Sequence, residues 1–291
     1  MPKTSSARKR HITLIGAGNL ATAIGPALRS AGYQIDAVAG RALPASRKRA
    51  AALARKLGGR LEQLDEIEPL SGILWLCHTD DALAETAALL AKKSGWQGKI
   101  VLHSSGALSS DVLAPLQRAG AWAASIHPMM TFVAGITPRL KGVPFAVEGD
   151  REAVAVARRI VRDLGAEPFE IRKEAKVLYH ALGSFTSPLL VATLATAERV
   201  GRAAGLSQKQ VRSIMAPILQ QTLKNYLEKG AAAAFSGPVK RGDISTIRRH
   251  WKDLQSVPGA SEVYRALVQS ALMELPAENK DALVKLLKNS T

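Results

Sequence analysis

The patterned part of the chain begins with a short apolar run, Ile12 to Ile15, rich in β-branched side chains and ended by a glycine. A run of that length and composition predicts a buried strand. Behind it, Leu20, Ala23, Ile24, Ala27 and Leu28 recur at the spacing of one helix face. The same alternation continues. Tyr33 to Ala39, Arg60 to Leu64, Gly72 to Cys77, Lys99 to Leu102, Ala121 to Ile126, Phe145 to Gly149 and Glu167 to Ile171 are predicted strands. Leu43 to Leu57, a segment starting at Thr79 or Asp80 and reaching Lys92, and Arg151 to Leu164 are predicted helices. Continuous apolar runs such as Ile73-Leu-Trp-Leu76 suit strands covered on both faces. Strands alternating with helices over some 170 residues predict an α/β fold, a doubly wound and mostly parallel sheet.

From Glu174 onward the period is helical only. One long helix is expected over Glu174 to Ala204, bent at Pro188, and a second over Ser207 to Lys229 with Ser207 as its N-cap. Asp243 is expected to cap a helix reaching Leu254, and Gly259 to Leu275 and Ala277 to Lys288 complete the set. The domains expected are a Rossmann domain over residues 10–172 and an all-helical domain over residues 173–291. The uncharged stretch His180 to Ala197 contains His, Ser, Thr and Pro, so it is expected as a core helix rather than a membrane span.

Composition narrows the classes. With 291 residues and 47% hydrophobic content, two packed domains are affordable. The single cysteine, Cys77, lies in an apolar run, which excludes a disulfide framework and fits a cytoplasmic protein. The start, Met1 to Arg10, is basic and polar with no apolar segment behind it, so no secretory signal is expected. Net charge is +16, and residues 1–60 carry twelve Lys/Arg against one acid, Asp36. Such a field attracts a phosphorylated cofactor, an acidic substrate or nucleic acid, or is simply a solvated surface. No helix-turn-helix, zinc-finger or aromatic RNA-binding signature promotes the nucleic-acid option.

Chemistry concentrates at predicted strand ends. Gly16-Ala-Gly18-Asn19-Leu20-Ala21 stands between a strand and a helix, as a dinucleotide fingerprint requires. Gly16 permits the tight turn, Gly18 lets a pyrophosphate approach, and Ala21 lets the helix pack close to the strand. At the next strand's tip Arg41, followed by Arg47, suits the 2′-phosphate of NADP better than Asp36, mid-strand, suits the ribose of NAD. His78 and Thr79 end a strand where such sheets bind ligands, and are counted with the cofactor site. His103, Ser104 and Ser105 end the next strand and His127 the one after; these four are candidate substrate contacts. Lys176 and His180, at i and i+4, share a helix face with Ser184 one turn on. An ammonium and an imidazole there could polarise a carbonyl or imine and deliver a proton, with Ser184 as a further substrate contact. Gly237-Pro-Val-Lys-Arg241-Gly-Asp243 is a special turn in which Arg241 would clamp a carboxylate or phosphate. No metal-ligand spacing is present.

At these residues the chain resembles a family. Gly16-Ala-Gly-Asn-Leu-Ala21, His103-Ser-Ser-Gly106 and Val147-Glu-Gly-Asp150 resemble the 6-phosphogluconate and β-hydroxyacid dehydrogenase superfamily, which includes ketopantoate and pyrroline-5-carboxylate reductases. Ser125-Ile-His127-Pro128, Tyr179-His180-Ala181, Gly237-Pro238, Arg241-Gly242-Asp243 and His250 give a narrower match. It is to bacterial proteins that join a Rossmann-like domain to a C-terminal helical domain of unknown function. The resemblance implies a helical domain that forms a homodimer and closes the substrate cleft. Reductases of the superfamily often carry a lysine with an asparagine one turn on; Lys176 and His180 hold those positions here, and Pro188 stands where relatives carry another asparagine. The expected function is an NADP(H)-dependent oxidoreductase acting on a small carboxylated or phosphorylated carbonyl, imine or hydroxy compound. The alternative is a non-catalytic NADP(H) sensor or scaffold.

Overall fold

The protein is described by a computed structural model over residues 10–41, 43–68 and 72–288. The basic start discussed above lies, over residues 1–9, outside the described residues. Eight strands form one sheet: β1 (His11–Ile15), β2 (Gln34–Gly40), β3 (Arg60–Gln63), β4 (Ile73–Leu76), β5 (Ile100–His103), β6 (Trp122–Pro128), β7 (Pro144–Gly149) and β8 (Glu167–Glu170). Their order is β3-β2-β1-β4-β5-β6-β7-β8, so the winding reverses between β1 and β4. Helices α1 (Asn19–Ser30), α2 (Pro44–Leu57), α3 (Asp80–Ala91), α4 (Ala114–Arg118) and α5 (Arg151–Asp163) make the crossovers. The doubly wound expectation holds.

Side-chain period explains the layers. Along β4, Ile73 and Trp75 join the core under α1, α2 and α5, while Leu74 and Leu76 join the core under α3 and α4. All four are buried, whereas the edge strand β8 alternates with exposed acids. One pair, β6 with β7, is antiparallel. Residues 129–143 between them contain no helix, and β7 runs back beside β6 rather than crossing over the sheet.

The chain divides into compact units between Phe185 and Thr186, thirteen residues beyond the expected boundary at 172. The long helix expected from Glu174 is a 3-10 turn, Lys173–Ala175, then α6 (Lys176–Thr186) and α7 (Pro188–Ala203). Ser187 leaves the helical region (φ −128°, ψ −83°) because the ring of Pro188 crowds the preceding residue out of it. Two further helices are as expected at their starts and different in detail. In α8 (Gln208–Ala234), Ser207 and Gln210 form a capping box, and the backbone leaves helical geometry at Gly230. Asp243 precedes α9 (Ile244–Leu254) without capping it, since its carboxylate is taken by Arg241. With α10 (Ala260–Glu274) and α11 (Lys280–Lys288), the second unit packs a small core of Ile247, Val268, Leu272, Leu283 and Leu287.

The uncharged stretch expected as a core helix is corrected. The segment Lys173–Ala203 is apolar and long enough to cross a membrane by length and composition, and none of its apolar window is buried. Leu178 is 78% exposed and Phe185 71%. A break at Ser187 divides it.

Candidate active site

β1 and β4 are the neighbours where the winding reverses, so the crevice beyond their carboxyl ends is where a ligand binds in a sheet of this kind. The glycine turn occupies it. Gly16 (φ +104°) donates its N–H to the Ala39 carbonyl at 2.8 Å, and a Cβ there would lie 2.9 Å from the Cys77 carbonyl. Only glycine fits. Gly18 differs: its φ of −81° is ordinary and a Cβ would meet nothing within 4 Å. The position is left open at the N-terminus of α1, where unpaired N–H groups and the helix dipole favour an anion.

Beside that opening lies a cleft of about 540 Å³, lined by Ala17, Gly18, Asn19 and Thr22 of the turn and first helix. Arg49, Ala52, Leu53 and Lys56 of α2 form its other wall. Their spacing puts two cations on one helix face, a signal the charge pattern carried and the candidate list above missed. Asn19 donates to the Phe132 carbonyl at 3.0 Å, Leu20 packs on the core and Ala21 is fully buried. Arg41 is exposed at the tip of β2 with its amide tied to Ser46, and Arg47 is exposed one turn on. Asp36 accepts from His11 at 2.8 Å, away from the strand tip, so it does not serve a ribose there. His78 bonds Thr86 at 3.2 Å; burial, with the Arg41 charge adding, lowers its pKa to about 4. Thr79 is the N-cap position of α3, without a side-chain cap bond. The helical unit has its own apolar cavity of about 600 Å³, edged by His250, Asp253 and Tyr264. No Lys or Arg lines it, so of the two it is the less suited to a phosphate.

A second constellation sits at the carboxyl ends of β5 and β6. His103 and His127, expected in loops, are the last and next-to-last residues of their strands. Around them Lys176, at the start of α6, is fully buried. Its ammonium donates to the Ser105 carbonyl (2.9 Å) and the Ser125 hydroxyl (2.5 Å), and Glu148 stands 3.9 Å away. Glu148 in turn accepts the amide and the hydroxyl of Ser110, both at 2.8 Å. Burial lowers the Lys176 pKa to about 8 against the pull of Glu148 and Asp80. The ammonium is therefore a strut inside the protein, tying α6 to the loop after β5.

That loop is framed from within. His103 Nδ1 accepts the Ser105 amide at 3.1 Å, and the Ser105 hydroxyl accepts the amides of Ala107 and Leu108. His103 is fully buried and Ser105 nearly so; both candidate substrate contacts are corrected to parts of the loop's frame. His103 Nε2 is the buried side-chain polar atom left without a partner among the described residues, and burial with the Lys176 charge lowers this imidazole's pKa to about 3. Ser104 accepts from the Trp75 indole at 2.7 Å.

The side chains that reach the surface of this cluster are His127, Tyr179 and His180. A Cβ on Gly106 would lie 2.8 Å from His127 Nε2 and 2.5 Å from His180 Cδ2, so the glycine lets both rings approach the loop. The two imidazoles meet edge to face at 5.9 Å between centroids. Tyr179 Oη lies 3.0 Å from His127 Nδ1. Tyr179 was named only within a motif; nothing in its spacing marks it, because its partner is 52 residues away. Burial, then Lys176 and His180, lower the His127 pKa to about 4, and burial raises that of Tyr179 to about 12. His180 is exposed, and Ser184 spends its hydroxyl on the His180 carbonyl at 3.3 Å. So Lys176 and His180 do share a face, but one is enclosed and the other open. In the helical unit, Arg241 is 61% exposed and donates twice to Asp243. Among the described residues no group of His, Cys, Asp and Glu is arranged to hold a metal ion.

Comparison with known proteins places this geometry. No curated protein sequence matches the chain. A structure from Bacteroides fragilis, provisionally assigned as an NADP oxidoreductase, superposes with a TM-score of 0.77 at 24% identity, covering 90% of this chain and 98% of that one. A reductive aminase from Aspergillus terreus, in complex with NADPH and ethyl-5-oxohexanoate, gives 0.65 at 17% identity over 91% and 94%. A 1-pyrroline-5-carboxylate reductase from Streptococcus pyogenes gives 0.60 at 17% identity over 96% and 97%. At these identities the likeness is one of fold. Residues 2–128 match a Rossmann-like domain, and residues 143–271 match a domain of unknown function, DUF2520. The chain belongs to the proteins that join a Rossmann-like domain to a C-terminal helical DUF2520 domain.

Proposed function

We propose that the chain is an NADP(H)-dependent oxidoreductase acting on a small carbonyl, imine or hydroxy compound that carries an acidic group. The observation that carries the reading is the open position over Gly18 at the start of α1, beside a cleft walled by Arg49 and Lys56. These residues fit a dinucleotide: a close backbone approach, a helix N-terminus for the pyrophosphate, and cations for further phosphate. The similar structures, one provisionally assigned as an NADP oxidoreductase, one a reductive aminase holding NADPH and one a 1-pyrroline-5-carboxylate reductase, lend support. The cofactor, when bound, supplies or accepts the hydride.

The chain's own residues do the rest. The Gly16 turn and α1 bind the pyrophosphate, and Arg41 takes a 2′-phosphate, with Arg47 beside it on α2 and His78 and Thr79 along the crevice. His180, exposed on α6, exchanges the proton; Lys176 holds α6 and the loop after β5 in register and adds positive potential from behind. His127, Ser104 and Ser184 face the substrate, and Arg241 of the helical unit is kept as a candidate clamp for a carboxylate or phosphate. The exposed apolar residues of α6 to α8 are proposed to meet a second copy of the chain.

The test is calorimetric titration with NADPH and NADH, then a turnover screen of ketoacids and cyclic imines. NADPH is expected to bind at least about tenfold more tightly, a difference of about 1.4 kcal/mol. Arg41→Ala is expected to erase most of that preference. Equal losses for both nucleotides would refute the 2′-phosphate assignment. Binding without turnover of any substrate would favour a cofactor sensor, a reading to which the enclosure of Lys176 lends some weight.

A further inference from the structure

Tyr179 has no task in the proposed function, yet its phenol lies within hydrogen-bond reach of His127. Its phenol is half-buried beneath the ring and packs edge-on against both His127 and Phe169. The Ala146 amide on β7 lies near the phenol oxygen and works against the burial that raises its pKa. The phenol proton has two acceptors in reach: His127 Nδ1 at 3.0 Å and the His127 carbonyl at 3.4 Å. The nearer wins, because hydrogen bonds weaken steeply beyond ordinary length. If Nδ1 accepts, the ring proton of a neutral imidazole must sit on Nε2. Nε2 is the atom that faces Gly106 and the neighbouring His180.

We infer that His127 works as a neutral imidazole whose Nε2–H donates a hydrogen bond to the substrate atom that gains or loses charge, and that Tyr179 is the positioning residue that fixes this tautomer. The inference rests on the oxidoreductase reading and deepens it. His127 keeps its proton throughout; proton exchange stays with exposed His180. A preset donor of this kind stabilises charge that develops in the transition state without reorganising. The groups that bear on His127 are Lys176 and His180 from α6 and His103 from the end of β5, and the cationic ones among them oppose a second proton. Burial acts in the same direction.

The experiment is a long-range proton–nitrogen spectrum of the full-length protein labelled with ¹⁵N-histidine, recorded from about pH 5 to pH 8. The protein has six histidines, and His127 is identified by the signal lost in His127→Gln. The expected spectrum has a protonated Nε2 and an unprotonated Nδ1 for His127, unchanged across the range. In Tyr179→Phe the two nitrogen shifts are expected to converge as the tautomers mix, with NADPH affinity within about twofold of the parent. An Nδ1–H tautomer in the parent protein, or titration with a midpoint near 6.5, overturns the inference without needing the variant. A single Nε2–H tautomer surviving in Tyr179→Phe overturns the role of Tyr179. Failure of the parent protein to bind NADPH in the calorimeter is a separate result: it removes the oxidoreductase reading, and with it the reaction His127 would serve, whatever the spectrum shows.

Discussion

At the scale of residues, the difference between Lys176 and His180 decides how the site is read. They lie one turn apart on α6, yet the lysine is sealed in and the histidine is open. A buried ammonium is tolerated only when its donors are used, and here they go to Ser105, Ser125 and toward Glu148. Removing it leaves a buried carbonyl and carboxylate short of a partner, a change that costs about 3 kcal/mol or more. Lys176→Met is therefore expected to lower the midpoint of thermal unfolding by roughly 6–12 °C, at about 2–4 °C per kcal/mol. Near-unchanged unfolding together with lost turnover would move the lysine from framework to chemistry. None of this was legible in the sequence. The i, i+4 spacing shows a shared face, but the lysine's partners lie 71 and 51 residues away, brought in by strands whose ends meet only in the fold. The same holds for Tyr179 on His127, and for Arg241, whose own turn supplies Asp243 as a partner and so costs α9 its expected cap.

At the scale of elements, the sheet strands were readable because each is a short apolar run bounded by turn residues, and the glycine turn because strand and helix flank it. What escaped was direction and break. β7 runs antiparallel to β6, and an apolar strand pattern carries no sign of direction. The helix from Glu174 was read through Ser187 because its apolar period continues across Pro188, while the backbone does not. The apolarity itself was misassigned: Leu178, Phe185 and Val191 of α6 and α7, and Ile218 and Leu227 of α8, stand exposed. Soluble proteins do not leave such faces uncovered, and closed two-fold assemblies are the commonest cover. Sedimentation equilibrium is expected to give twice the chain mass of 31.0 kDa. Leu178→Asp with Leu182→Asp is expected to give a folded monomer by circular dichroism. A parent protein that sediments at the single-chain mass would leave these helices to another partner.

At the scale of the whole molecule, three imidazoles share one electrostatic condition. His78, His103 and His127 lie along the carboxyl edge of the sheet, at the ends of β4, β5 and β6. Burial comes first in lowering each pKa, to about 4, 3 and 4. In the unfolded chain each takes its proton near pH 6.5. Between that value and about 4 the unfolded state thus binds more protons than the folded one, so stability falls as pH drops through this window. Lys176 acts outside it, since a pKa near 8 leaves it protonated in both states below neutrality. One titrating group contributes a slope of about 1.4 kcal/mol per pH unit, and three together at most about 4. Urea unfolding between about pH 5 and pH 6.5 is expected to show a slope between these limits, with stability level from about pH 7 until Lys176 begins to titrate near pH 8. A slope shallower than one proton would mean that these rings are charged or hydrated in the folded protein. That outcome would also remove the condition under which His127 donates as a neutral imidazole, so the bulk stability curve and the single-residue spectrum test the same electrostatics from opposite ends.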